Sequence, residues 1–226
     1  MNNKIKPLQY NVFRWGPLLV KVKVEKEIIN LFLKEGKESQ EDISTELAGV
    51  LNKQVEFRDK TLFQDFFSDV FTLYADAQFK WSAEEGKSKD FYRQQYNLDS
   101  LWCNFQGPGD FNPPHDHRGA LSWVTYLKIP KELKEENEKY KGKSAGPGGI
   151  TFIYAEGPRT AISHHSFFPE EGDMFIFPAW LKHWVFPFSS NCTRISVSGN
   201  VDDSIKIKNL EQWNKENERK KSNNIR

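Results

Sequence analysis

Hydrophobic positions along the chain follow two different rhythms, and the change comes near residue 100. Leu19 to Val24 alternates, with Val20, Val22 and Val24 on one face and Lys21 and Lys23 on the other. That is the pattern of a strand with one wetted side. Glu25 to Lys34 carries helical spacing and predicts a short helix, with Gly36 as its C-cap. A second helix is predicted from about Asp42 to Lys53, with Ile43, Leu47, Val50 and Leu51 on one stripe. A third, from about Thr61 to Trp81, puts Leu62, Phe66, Val70, Leu73 and Tyr74 on one side. An apolar stripe at this spacing reads as core packing before it reads as a cofactor site.

From Leu101 onward the segments shorten: LWCNF, ALSWVTYLKI, ITFIYA, DMFIFPAW, HWVFPF and TRISVSGNV, separated by Gly, Pro and Asn. Short apolar runs with turn signals between them predict an antiparallel sandwich or barrel. The expected fold class is therefore mainly β with N-terminal helices, an α+β chain around a jelly-roll core. Residues 131–149, KELKEENEKYKGKSAGPGG, predict a solvated helix followed by a loop, with a lid over a site as the other reading. The stretch from about Glu211 to Arg226 is polar and basic at its end, and predicts a surface helix and a tail.

A chain of 226 residues holds one substantial core. The expected organisation is one domain: residues 1–100 as a strand and helical support, 101–201 as the jelly roll, 202–226 as a polar tail. A formal net charge of +1 calls for neither nucleic acid nor an acidic membrane, so nucleic acid is disfavoured as a partner. The N-terminal stretch has no apolar run of signal-peptide length, and no run is long enough to cross a bilayer. The only two cysteines, Cys103 and Cys192, predict buried thiols in a reducing compartment rather than a disulfide scaffold. The expected location is cytoplasmic. Oligomeric state has no signature in the sequence.

The candidate chemistry lies in three of the five histidines. His115 and His117 are two apart, so an extended HDH segment turns both imidazoles to one face and Asp116 to the other. His183 follows the strand DMFIFPAW, and in a jelly roll these segments can be spatial neighbours. Imidazoles so grouped chelate Fe, Zn, Cu or Ni. A His-x-His pair alone also arises from surface histidines. Farther on, Arg194 and Ser196 share a face in Arg-Ile-Ser, and the apolar flank of Ile195 and Val197 points Arg194 inward. A guanidinium fork beside a hydroxyl is a receptor for a carboxylate.

The order of His-x-His, strand, long gap, distal His and Arg-x-Ser resembles the 2-oxoglutarate and iron(II)-dependent oxygenases. The resemblance is nearest to a branch common in bacteria and tailed phages. It rests on HDHRGALSWVTYL, EGDMFIFPAWLKHWVFPF and RISVSGNV, and covers about residues 101 to 201; DISTELAGVL looks like the phage members more loosely. The resemblance implies a double-stranded β-helix and a hydroxylase that consumes 2-oxoglutarate and releases succinate and CO2, acting in a bacterial or phage-infected cytoplasm. It implies His115, His117 and His183 as iron ligands, and Arg194 with Ser196 at the distal carboxylate of the cosubstrate. Tyr126 and Asn104 are implied as further cosubstrate contacts, each with a purely structural role as the alternative.

Most of that superfamily uses two histidines and a carboxylate, whereas His117 holds the carboxylate's place here, and Asp116 would serve only if a bulge turned it inward. His164 and His165 are expected in a loop, on the substrate side or merely solvated. Trp123, Trp180, Trp184 and Phe186 are candidates for the pocket lining. Two other readings remain: a three-histidine cupin-type dioxygenase or isomerase without 2-oxoglutarate, and a non-catalytic jelly-roll binding module. The primary substrate is not legible.

Overall fold

In the computed structural model the described residues are 16–83, 93–155 and 163–208. Ten strands and three α-helices follow in chain order: β1 Val20–Lys23, α1 Lys26–Glu38, β2 Lys53–Glu56, α2 Gln64–Ala83, β3 Arg93–Gln106, β4 Asn112–His115, β5 Leu121–Lys128, α3 Lys131–Glu138, β6 Ile150–Ile153, β7 His164–Phe167, β8 Asp173–Pro178, β9 Lys182–Val185 and β10 Arg194–Lys208. They form a six-stranded sheet, β1-β8-β5-β10-β3-β2, and a four-stranded sheet, β4-β9-β6-β7. Every pairing within both sheets is antiparallel. This is the mainly-β architecture expected, with the smaller sheet lying over one face of the larger.

Period-two alternation divides the large sheet between two apolar clusters. Leu121, Trp123, Met174, Ile176, Ile195, Val197 and Val201 join the cluster that α1 and α2 cover with Phe32, Phe63, Phe67 and Phe71. On the other face Tyr126, Phe175 and Phe177 meet Ile150, Phe152 and Val185 of the small sheet. Aromatic rings dominate the centre of the helical cover: Phe32 stacks on Phe63 at 4.3 Å between ring centroids, and Phe67 approaches Trp123 at 4.8 Å. Each such ring stabilises the fold by about 1.5–3 kcal/mol through burial.

Several expectations need correction. The helix α1 runs through Gly36 to Glu38, so Gly36 is no cap. It lies where the helix crosses β3, and a Cβ there would meet Cys103 Sγ at 2.8 Å and Cys103 Cβ at 2.9 Å. No helix forms over residues 42–53. The Asp42 carboxylate accepts hydrogen bonds from the Ser44 amide and hydroxyl, an Asx turn that competes with helix. The backbone then bridges outward, Asp42 to Val55 and Val50 to Phe111. The third helix is as expected but rotated: Phe63, Phe67, Val70, Phe71 and Tyr74 are buried, while Leu62 and Leu73 are 49% and 45% exposed. An aromatic set at i, i+4, i+8 buries more area than the leucine stripe, and it wins the face.

His164 and His165 lie in strand β7, paired with Ile153 and Phe152, and not in a loop. Strand β10 continues to Lys208, so residues 202–208 belong to the sheet and not to a tail. The expected helix from Glu211 lies outside the described residues. The 131–149 insert is as read, with α3 followed by a loop. Buried Leu133 and the Glu136 carboxylate, which accepts from the Ser189 and Ser190 amides, pin that helix to the chain before β10. Cys103 and Cys192 are free thiols. Among the described residues no helix is long and apolar enough to cross a membrane.

Gly36→Val should destabilise the protein by about 1–3 kcal/mol, because Cys103 leaves no room for the added carbons. Urea unfolding measures it; an unchanged midpoint would mean that α1 does not press on β3 as closely as described.

Candidate metal centre and cavity

Two elements of the small sheet bring the histidines together. His115 ends β4 and stands opposite His183 of β9 in the strand register. His117 lies just beyond β4, where its amide donates to Ala179 O at 2.9 Å and ties the HDH segment to the turn before β9. Strand β4 contains Pro113 and Pro114, which edge position allows because no ladder bond is needed from them. Gly119 then turns the chain into β5 at φ 94°; a side chain there would meet Val201 O at 2.8 Å.

The three ring centroids lie 4.3 Å (His115 to His183), 4.9 Å (His115 to His117) and 5.2 Å (His117 to His183) apart. One nitrogen from each ring falls within 4.8 Å of the others, a group that could hold a metal ion. Asp116 is not part of that group and is exposed, as alternation requires. The tautomers suit coordination. His115 Nδ1 contacts Pro113 O at 2.7 Å, and His183 Nδ1 contacts Leu181 O at 3.0 Å. A carbonyl only accepts, so each Nδ1 carries the proton and each Nε2 keeps its lone pair. Burial disfavours the charged rings: it lowers the pKa of His115, and takes His117 to about 4 and His183 to about 3, with the neighbouring imidazoles adding repulsion in the last two. At neutral pH the cluster is three neutral donors.

These rings line a cavity of about 330 Å³ between the sheets. Across it stands the polar face of β10, where Arg194, Ser196, Ser198 and Asn200 alternate with Ile195 and Val197. Arg194 is 3% exposed. Its Nη1 donates to Gly148 O at 2.7 Å, and its guanidinium lies 5.1 Å from the Tyr126 ring centre. No carboxylate pairs with it among the described residues, and its Nε and the Tyr126 hydroxyl lack hydrogen-bond partners. Burial pushes the Tyr126 hydroxyl up to about 12, with the Arg194 charge opposing, so it stays protonated. A buried guanidinium without an anion is costly, so the donor set fits a carboxylate ligand.

The expected residues Arg194, Ser196, Tyr126 and Asn104 all meet the three histidines in this one cavity. Of the expected lining residues, Trp123 borders the cavity while packing into the helical core. Trp180, Trp184 and Phe186 do not line it: Trp180 is 54% exposed against Tyr154, and Trp184 and Phe186 pack edge-on against each other. His164 and His165 line a separate groove with Phe152 and Leu181. Sequence reasoning missed Gln54, Asn112, Ser198, Asn200 and the loop Glu46–Gly49, all on the cavity wall. Ser198 and Asn200 continue the Arg194–Ser196 alternation and were readable. Gln54 and the loop were not, because that stretch reads as helix.

Residues 100–200 match a family model described as "Putative 2OG-Fe(II) oxygenase". The matched segment contains all three histidines, Arg194 and Ser196. No curated protein matches the chain in sequence. Among solved structures, HygX from Streptomyces hygroscopicus, with nickel and 2-oxoglutarate bound, superposes at TM-score 0.50 and 10% identity over 83% of each chain. An oxidoreductase of the 2OG-Fe(II) oxygenase family from Burkholderia pseudomallei gives 0.48 and 12%, over 81% of this chain and 84% of that one. A viral collagen prolyl hydroxylase from Paramecium Bursaria Chlorella virus-1 gives 0.45 and 12%, over 83% of this chain and 96% of that one. The likeness to HygX shows a shared fold, the double-stranded β-helix. Residues 100–200, a little under half of the chain, are similar in sequence to that family.

The buried imidazoles set a pH dependence for the metal-free protein. Unfolded, they take up protons near pH 6.5; folded, His117 and His183 do so only near 4 and 3. Between those limits the unfolded chain binds more protons, so stability falls as the pH drops from 6.5 toward 4. Thermal unfolding of the metal-free protein should show Tm falling across that window, and His183→Gln should flatten the fall. A Tm independent of pH there would mean the rings are solvated.

Proposed function

We propose that this oxygenase hydroxylates a C–H bond of its substrate at iron held by His115, His117 and His183, with Arg194 and Ser196 gripping the distal carboxylate of 2-oxoglutarate. The observation that carries the assignment of residues is Arg194: a buried guanidinium with no anion, in the same cavity as three neutral, metal-ready imidazoles. A cupin-type centre that does not use 2-oxoglutarate has no need of such a group, and neither does a binding module without metal.

Bound iron(II) and 2-oxoglutarate supply the activation of dioxygen, with succinate and CO2 leaving. The chain supplies orientation. Arg194 offers two parallel donors to a carboxylate, and its fixed place against Tyr126 and Gly148 O sets where that carboxylate ends. Tyr126, protonated and unpartnered, offers a further donor at the same end. Asn104 reaches Ser196 and Ser198 from the neighbouring strand, at 3.4 and 3.1 Å, and we assign it to orienting those hydroxyls. Three neutral ligands leave the full charge of the metal to be balanced by the anionic cosubstrate, which couples the two binding events.

In this reading residues 1–100 support the sheet that carries the cavity, and the chain works as one domain. Its location would be a reducing cytoplasm, of a bacterium or a phage-infected host, which suits the free thiols Cys103 and Cys192. A small-molecule cosubstrate is its one assigned partner.

Anaerobic titration with iron(II) and 2-oxoglutarate, followed through the visible charge-transfer band of the chelate, tests the assignment. Arg194→Met should retain iron but weaken 2-oxoglutarate by about 30- to 1000-fold, the loss of about 2–4 kcal/mol of charge-assisted bonding. His183→Ala should lose iron. Iron binding without a band in the wild type would transfer the site to the chemistry that does not use 2-oxoglutarate, and no iron binding would end the enzyme reading.

A further inference from the structure

The cavity has a second polar end that the cosubstrate cannot satisfy. A row of side chains runs across four strands of the large sheet in register: Gln54 of β2, Asn104 of β3, Ser196 of β10 and Tyr126 of β5. Gln54 Nε2 donates to Asn104 Oδ1 at 2.7 Å, and Asn104 Nδ2 donates to Ser198 Oγ at 3.1 Å. This relay uses the amide nitrogens and leaves Gln54 Oε1 as the free end. Gln54 is 2% exposed, lines the cavity, and its Oε1 has no donor. Asn200 Oδ1, farther along β10, and Asn112 Oδ1, on β4 of the facing sheet, also line the cavity and are buried without a donor.

Three unpaired carbonyl oxygens are a specific demand. Each buried acceptor left unmatched costs about 1–3 kcal/mol. The 2-oxoglutarate dianion brings only acceptors, so it cannot serve them. An ammonium brings three donors and a guanidinium five, and neither carries an acceptor that would oppose the wall. The mouth agrees in sign. With Arg194 engaged by the cosubstrate, the remaining charged side chains on the cavity are Glu46, Asp116 and Arg118, two carboxylates to one guanidinium. Glu46 belongs to the loop Glu46–Gly49, and the Val50–Phe111 backbone pair and the Asn52–Asp110 side-chain bond hold the chain just after that loop in place.

We propose that the primary substrate presents a protonated amine or guanidinium to this wall, and that Gln54 is the residue that selects it. The inference rests on the oxygenase reading above. Asn104 then stands between the substrate-side Gln54 and the cosubstrate-side Ser196, in contact with both. Cationic nitrogen at the wall and carboxylate at Arg194 would fill the two ends of one cavity with opposite charges, which keeps either ligand out of the other's place.

Isothermal titration of the anaerobic iron(II)–2-oxoglutarate protein with butylguanidinium, butylammonium and butyrate tests this, with Gln54→Met and Gln54→Glu as variants. The expected result is that the two cations bind at least tenfold more tightly than butyrate. Gln54→Met should weaken butylguanidinium at least tenfold, and Gln54→Glu should tighten it. Butyrate binding as tightly as the cations, or a Gln54→Met protein with unchanged affinity, overturns the inference. Should Gln54→Met fail to fold, Gln54→Glu decides alone: unchanged butylguanidinium affinity overturns it. The charge-transfer band, recorded before any probe is added, separates the two levels. A missing band in the wild type counts against the oxygenase assignment, whereas a normal band without a cation preference counts only against the substrate class.

Discussion

A β-strand has two faces, and strand β10 uses them for opposite ends. Ile195, Val197 and Val201 enter the helix-covered core, while Arg194, Ser196, Ser198 and Asn200 look into the cavity. One can persist only because of the other. A buried guanidinium and a row of buried hydroxyls and amides carry a large desolvation cost, so the strand that bears them must be held by strong apolar burial on its far side. The aromatic cover from Phe32, Phe63, Phe67 and Phe71, on helices outside the matched family segment, meets that need.

The second sheet answers with a different electrostatic solution. The three histidines at its edge are crowded, with His183 buried and the other two partly so, which favours their neutral forms, and the backbone carbonyls of Pro113 and Leu181 fix two of their tautomers. The cavity therefore pairs neutral metal donors on one wall with a fixed positive charge on the other. That arrangement suits the proposed placement of 2-oxoglutarate, an anion with a carboxylate at one end and a keto acid at the other.

Between those walls the amide relay of Gln54, Asn104 and Ser198 gives the cavity direction. Donors stand at the Arg194 and Tyr126 end of the row and a free acceptor, Gln54 Oε1, at its other end. A polarised cavity of this kind orients whatever enters it before any chemistry occurs, and orientation is the protein's share of the rate when a metal does the bond breaking.

Much of this was legible from residue order alone. Alternation in RISVSGNV placed Arg194 and Ser196 on one inward face, and His-x-His put two imidazoles together with Asp116 turned away, because both conclusions need only the period of an extended strand. The β-rich half was readable for the same reason. What local pattern could not decide was every feature set by a distant neighbour. Gly36 looks like a helix cap until β3 is packed against it, and residues 42–53 look helical until their backbone bridges to Val55 and Phe111. The face that α2 buries depends on which aromatic rings its partners can accept. Gln54 became a cavity residue only through its register with Asn104, half a hundred positions away in the chain. Periodicity is encoded within a segment, whereas burial and pairing are properties of two segments, and only the folded chain brings the second one into place.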